Sequence, residues 1–97
     1  MSVARQYILV AAEGEAKALE GALTNLAQTV SGLSGCQGVE ILRDLGHPKR
    51  FVFIEKWATV EAHKRAGGSL PRDVLEPVMA ALADKPAATY LDYLWAK

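Results

Sequence analysis

The chain predicts an α+β fold with the element order β-α-β-β-α-β, and three observations carry that reading. Residues 6–13, 39–45, 50–57 and 87–95 alternate their side chains with the two-residue period of a strand. Residues 15–30 place Leu19, Leu23, Leu26 and Val30 on one helical stripe. A second helical stretch lies between the third and fourth strands. This order is the ferredoxin-like split βαβ arrangement: one four-stranded antiparallel sheet with both helices on one face. At 97 residues the chain makes a single domain, 1–97, with room for one modest core.

In the first strand, "QYILVAAE", Tyr7, Leu9 and Ala11 share one face, and Ile8, Val10 and Ala12 the other. Gly14 ends it. The helix over 15–30 stops at "SGLSGCQG", where glycines allow turn conformations. "VEILRDL" is the second strand, and "GHPK" is a turn because Pro48 cannot donate to a ladder. Residues 50–57 return as the third strand of a hairpin. Thr59 suits an N-cap for a helix over 60–66, which "GGS" interrupts. Ser69 is set to cap a second helical piece, with Pro71 in its first turn and a stripe of Val74, Leu75, Val78, Met79 and Leu82. Pro77 is awkwardly placed there and predicts a kink. "AATYLDYLW", 87–95, closes the sheet.

Half the residues are apolar, and 11 basic residues balance 11 acidic ones. Without a Lys/Arg block, an electrostatic grip on nucleic acid or anionic lipid is not expected. No apolar run approaches the ~20 residues of a membrane span, and the expectation is a cytoplasmic protein. The single cysteine, Cys36, excludes an intrachain disulfide and reads as a small buried or loop thiol. The strands are apolar on both faces, and two helices cover only one. A wet second face would be a larger apolar patch than soluble monomers carry. The expected cover is a second copy of the chain, making a homodimer with sheets face to face.

The residues with chemical potential gather in "RFVFIEKWATVEAHKR", 50–65. Glu55 shares a strand face with Phe51, Phe53 and Trp57; a carboxylate in an apolar cleft can act as a general base with a raised pKa. His63, one or two turns beyond Trp57, can shuttle a proton. Glu55 and His63 are therefore the catalytic candidates. Trp57, Phe53 and Tyr90 are the candidates for binding a planar aromatic ligand. His47 and His63 show no metal-ligand spacing, and no nucleotide or serine-nucleophile motif occurs, so neither metal nor cofactor is expected.

The same stretch resembles the third strand and following helix of the antibiotic biosynthesis monooxygenase family, within the dimeric α+β barrel superfamily. The similarity lies in the apolar strand ending Glu55-x-Trp57 and in Glu61-Ala62-His63. The resemblance implies a dimeric barrel with a cleft between sheet and helices in each subunit. It also implies oxygenation of quinols, anthrones or similar phenolic small molecules without cofactor. Trp57 matches the family's tryptophan. Catalytic members often place an asparagine four residues before it, which here is Phe53, and a histidine nine or ten residues after it, which here is Ala66 or Gly67. Two other functions fit the same order. One is a non-catalytic ligand-binding or stress-associated barrel. The other is an RNA-recognition module stacking bases on Phe51 and Phe53, although its strand signature is broken by Arg50, Val52 and Lys56.

Overall fold

Strand pairing around residues 50–57 organises the whole chain. In a computed structural model, which describes residues 2–97, the elements are β1 (Val3–Val10), α1 (Ala16–Ser31), β2 (Cys36–Arg43), β3 (Arg50–Trp57), α2 (Val60–Gly67), α3 (Arg72–Ala80) and β4 (Ala87–Asp92). One sheet runs β2-β3-β1-β4, with every neighbouring pair antiparallel. That is the predicted ferredoxin-like topology. The second helical stretch is split into α2 and α3 near the glycines at 67 and 68, as the sequence suggests.

β3 alternates cleanly. Phe51, Phe53, Glu55 and Trp57 are buried toward the helices, while Val52, Ile54 and Lys56 are half-buried on the other face. The α1 stripe falls as predicted: Leu19, Leu23, Leu26 and Val30 are its buried residues. They pack on Leu9, Phe51, Phe53 and Trp57, with Val78 and Ala81 closing the cluster. Each such side chain contributes roughly 1.5–3 kcal/mol on burial, which is what holds the helices to the sheet.

A glycine fixes how closely α2 approaches. Gly35 has φ +90°, and a Cβ there would stand 2.7 Å from the Cβ of Ala62. Its carbonyl accepts the Ala58 N–H at 2.9 Å, tying the loop before β2 to the start of α2. Thr59 caps α2 as expected, its hydroxyl accepting the Ala62 N–H at 3.0 Å. Glu61 in the first turn and Lys64 and Arg65 in the last complement the helix dipole.

Several expectations are corrected. β1 starts at Val3 and ends at Val10, because Val3–Arg5 find partners in Glu55–Trp57 while Ala11 makes only one bridge, to Leu82. β4 stops at Asp92, which pairs with Val3, the first residue of β1. Leu94 and Trp95 therefore lie outside the sheet and are largely exposed. Ser69 does not cap α3; Pro71 holds that position without a side-chain cap, and the helix runs through Pro77. Met79 is exposed rather than buried with its stripe. The outer face of the sheet is mixed, not wholly apolar. Ile8, Val10, Val52, Ile54, Leu42 and Leu91 share it with Gln6, Glu40, Lys56 and Thr89, as the strand registers require. Cys36 is a half-buried thiol at the start of β2. No helix among the described residues is long and apolar enough to cross a membrane.

Candidate active site

Alternation on β3 places Glu55 beside Trp57 on the helix-facing side. The indole Nε1–H donates to Glu55 Oε1 at 2.9 Å, and only 4% of Glu55 is exposed. β1 brings Arg5 opposite Glu55 and Tyr7 opposite Phe53; β4 brings Tyr90 opposite Arg5. α2 then lays His63 across this group. Its Nε2 is 3.1 Å from the Tyr7 hydroxyl and its Nδ1 is 2.6 Å from the Tyr90 hydroxyl. Each ring nitrogen thus meets one phenol, and in a neutral imidazole one nitrogen donates while the other accepts. The His63 ring also stands edge-on to Trp57 (5.5 Å) and Tyr90 (5.3 Å) between ring centres.

His63 Nε2 also lies 3.7 Å from Glu55 Oε1, close enough for an ion pair. The surroundings argue otherwise. Burial raises the Glu55 carboxyl above its ordinary pKa, with the Trp57 N–H and the Arg5 charge opposing. Burial, and then the charges of Arg5 and Lys64, lower His63. A working ion pair would move both groups the opposite way, so at this contact burial outweighs any pairing of charges. Tyr7 is pushed up by burial, so its phenol stays protonated.

Between sheet and helices lie two adjoining cavities. One, of about 120 Å³, is lined by Leu9, Leu23, Phe53, Val78, Met79 and Pro86 among others. The other, of about 250 Å³, is lined by Trp57, His63, Leu33 and Ala66 among others. Tyr7, Glu55, Leu70 and Leu75 border both, so the two form one cleft with its polar groups at the junction. Its size falls at the small end of ligand pockets.

The structure thus brings Glu55, Trp57, His63 and Tyr90 together. Phe53 sits one step along β3, on the floor of the apolar cavity, edge-on to Tyr7 at 6.3 Å. Tyr90 backs His63 rather than lining either cavity. Two members of the cluster, Arg5 and Tyr7, have no counterpart among the candidates read from sequence. The same-face alternation of Arg5, Tyr7 and Leu9 is the signal that could have found them. Phe51 and Phe53 are both 1% exposed beneath the helices, so they offer no surface for base stacking. Among the described residues, no group of three or more His, Cys, Asp or Glu is placed to hold a metal ion.

The sequence model for antibiotic biosynthesis monooxygenases matches residues 1–70. No curated protein matches the chain in sequence. In fold, the chain is similar to Rv0793 from Mycobacterium tuberculosis, with TM-score 0.82 and 18% identity, over 99% of this chain and 98% of that one. It is similar to PA3566 from Pseudomonas aeruginosa, with TM-score 0.81 and 24% identity, over 97% and 95% of the respective chains. It is also similar to SnoaB from Streptomyces nogalater, a cofactor-independent oxygenase solved as an asparagine-to-alanine mutant. That match has TM-score 0.81 and 15% identity, over 98% and 95%. At these identities the likeness is one of fold.

Proposed function

The chain belongs to the antibiotic biosynthesis monooxygenase family, and from that premise we propose that its cleft oxidises a quinol, anthrone or similar phenolic small molecule with O2. The observation that carries this reading is a neutral-biased His63, flanked by two tyrosine hydroxyls and lining an otherwise apolar cavity. The aromatic rings of the substrate occupy the apolar walls, with Phe53 and Trp57 as its floor. His63, directly or through Tyr7, accepts the proton that the substrate releases. An aromatic anion held out of water passes an electron to O2 far more readily than the neutral molecule. For an anthrone, the methylene loses both hydrogens and takes one oxygen atom as a carbonyl, while the second oxygen atom leaves as water. Glu55 holds Trp57 in place and borders the reacting volume.

This reading includes a homodimer working in the cytoplasm. The half-exposed Ile8, Val10, Val52 and Ile54, with the exposed Leu42 and Leu91, form the apolar part of the outer face and support a sheet-to-sheet contact with a second copy. Light scattering on the wild type and on Ile54→Asp tests it: a dimer that becomes a monomer is expected.

A second reading, ligand binding without turnover, is favoured by Phe53, an apolar ring where catalytic relatives often carry an amide. Oxygen uptake and product analysis with menadiol and an anthrone, aerobic and metal-free, separate the two. Turnover above background is expected, with kcat lowered about 10²–10⁴-fold in His63→Ala and also reduced in Tyr7→Phe. Binding with no turnover across a broad quinol panel would leave only the second reading.

A further inference from the structure

The two ring nitrogens of His63 face different surroundings. Nε2 is on the cleft side: it lies 3.1 Å from the Tyr7 hydroxyl and 3.7 Å from Glu55 Oε1, and both of those residues border both cavities. Nδ1 is on the far side: it lies 2.6 Å from the hydroxyl of Tyr90, which lines neither cavity. A proton leaving a molecule in the cleft therefore reaches His63 at Nε2. For Nε2 to accept it, the neutral ring must carry its own hydrogen on Nδ1. A free histidine side chain favours the opposite tautomer, with the hydrogen on Nε2. Inside a protein, the hydrogen bond made by one nitrogen sets the state of the other.

We propose that Tyr90 is a positioning residue: it accepts the Nδ1–H of His63 and so holds the imidazole in the tautomer whose Nε2 can take a proton from the cleft. The neighbours on both sides favour this arrangement. Arg5 packs against both phenols, 5.2 Å from the Tyr7 ring centre and 4.2 Å from that of Tyr90. A guanidinium has donors only, and Arg5 favours negative charge on the Tyr7 oxygen. That oxygen is therefore used as an acceptor toward Arg5, and the Tyr7 proton is left for Nε2. A nitrogen that accepts from Tyr7 carries no hydrogen, so the hydrogen of the neutral ring lies on Nδ1, facing Tyr90. Tyr90 is held in place to receive it. β4 sets it opposite Arg5, and its ring stands edge-on to the imidazole at 5.3 Å and 82°. The proposal rests on His63 taking up a proton in the cleft, and adds the group that makes the correct nitrogen basic.

Nitrogen-15 NMR of the imidazole rings tests it without ligand or turnover. Burial lowers His63, so at pH ~8 the ring is neutral and its tautomer can be read. The chain has two histidines, and the exposed His47 is an internal reference in the same spectrum. His63 is expected with its hydrogen on Nδ1, while His47 keeps the free side chain's preference for Nε2–H. Tyr90→Phe should move the His63 ratio toward Nε2–H by about fivefold or more. It should also lower the His63 titration midpoint, because the bond from Nδ1–H is stronger when the ring is charged. The other groups bearing on that titration are Tyr7 and Arg5 on β1, Glu55 on β3 and Lys64 on α2, and the variant keeps them all. A merely structural role for Tyr90 would move stability and leave the tautomer alone. An Nε2–H His63 in the wild type overturns the proposal, whether or not the half-buried Tyr90 can be replaced without unfolding. So does a ratio that Tyr90→Phe leaves unchanged, or a midpoint that stays or rises. Turnover by an Nε2–H wild type would sink this proposal and leave the oxygenase reading standing. No turnover by an Nδ1–H wild type would do the reverse.

Discussion

The two ends of β3 are buried to the same depth and do different work. Phe51 and Phe53 at one end and Trp57 at the other are each 1% exposed, and Glu55 is 4% exposed. Around Phe53 the neighbours are Leu9, Leu23, Leu26 and Val78, which ask only to be kept from water. Around Glu55 the neighbours are the Trp57 indole, His63, Tyr7 and Arg5, and most polar atoms there answer another. Burial alone therefore does not mark the site. What marks it is burial of groups that need partners, met by partners from four separate elements. Loss of a ring at the apolar end should cost stability and part of the cavity floor; loss of a group at the polar end should cost chemistry first.

That division breaks most visibly at Phe53. Phe53→Ala removes a fully buried ring beside an existing cavity, and a loss of about 3–5 kcal/mol is expected by urea unfolding. This is a large share of the 5–15 kcal/mol that holds a domain together. The His63 titration, followed by NMR, should stay where it is in the folded fraction. If it moves, the Phe53–Tyr7 edge contact carries the change to His63 through the Tyr7 hydroxyl.

Gly35 tests the support of the polar end from outside. Gly35→Ala forces a side chain into a left-handed backbone and against Ala62. A cost of roughly 1–3 kcal/mol is expected. Because Ala62 precedes His63 on α2, the substitution should also shift the His63 resonances and lower any turnover. Unchanged resonances alongside lost stability would mean that α2 holds its histidine independently of the Gly35 contact.

How much of this was readable in advance follows the range of the interactions. The α1 stripe, the Thr59 cap and the shared face of Glu55 and Trp57 are local periodicities, and all three stand in the structure. The order of the strands followed from the order of elements. Arg5 escaped because Val3–Arg5 carry little strand signal of their own and join the sheet only through β3 and β4. The end of β4 was misplaced for the same reason, since it pairs with the start of β1. The Tyr7–His63 hydrogen bond joins residues 56 apart in the chain, and no periodicity reports such a contact. The side of the sheet that receives Glu55 likewise depended on where α1 lands.

The smallest effect expected is at Glu55, and its sign is the most informative. Burial raises the folded-state pKa of Glu55 above its unfolded value. A group raised in this way contributes its full stability below the unfolded pKa, near 4.3 for a glutamate, and loses it as pH rises through the folded pKa. Glu55→Gln keeps an oxygen to accept the Trp57 N–H but carries no charge at any pH. Thermal unfolding should therefore find the variant indistinguishable from wild type at about pH 3–4. By pH ~7 it should be more stable than wild type, by up to a few degrees in Tm. His63 is present in both proteins, so its own titration largely cancels from the difference. A variant less stable than wild type at neutral pH would mean that Glu55 is charged and pairs with His63 or Arg5. The polar end of β3 would then be held by ion pairs as well as hydrogen bonds, and His63 would no longer be free to take a proton from a substrate.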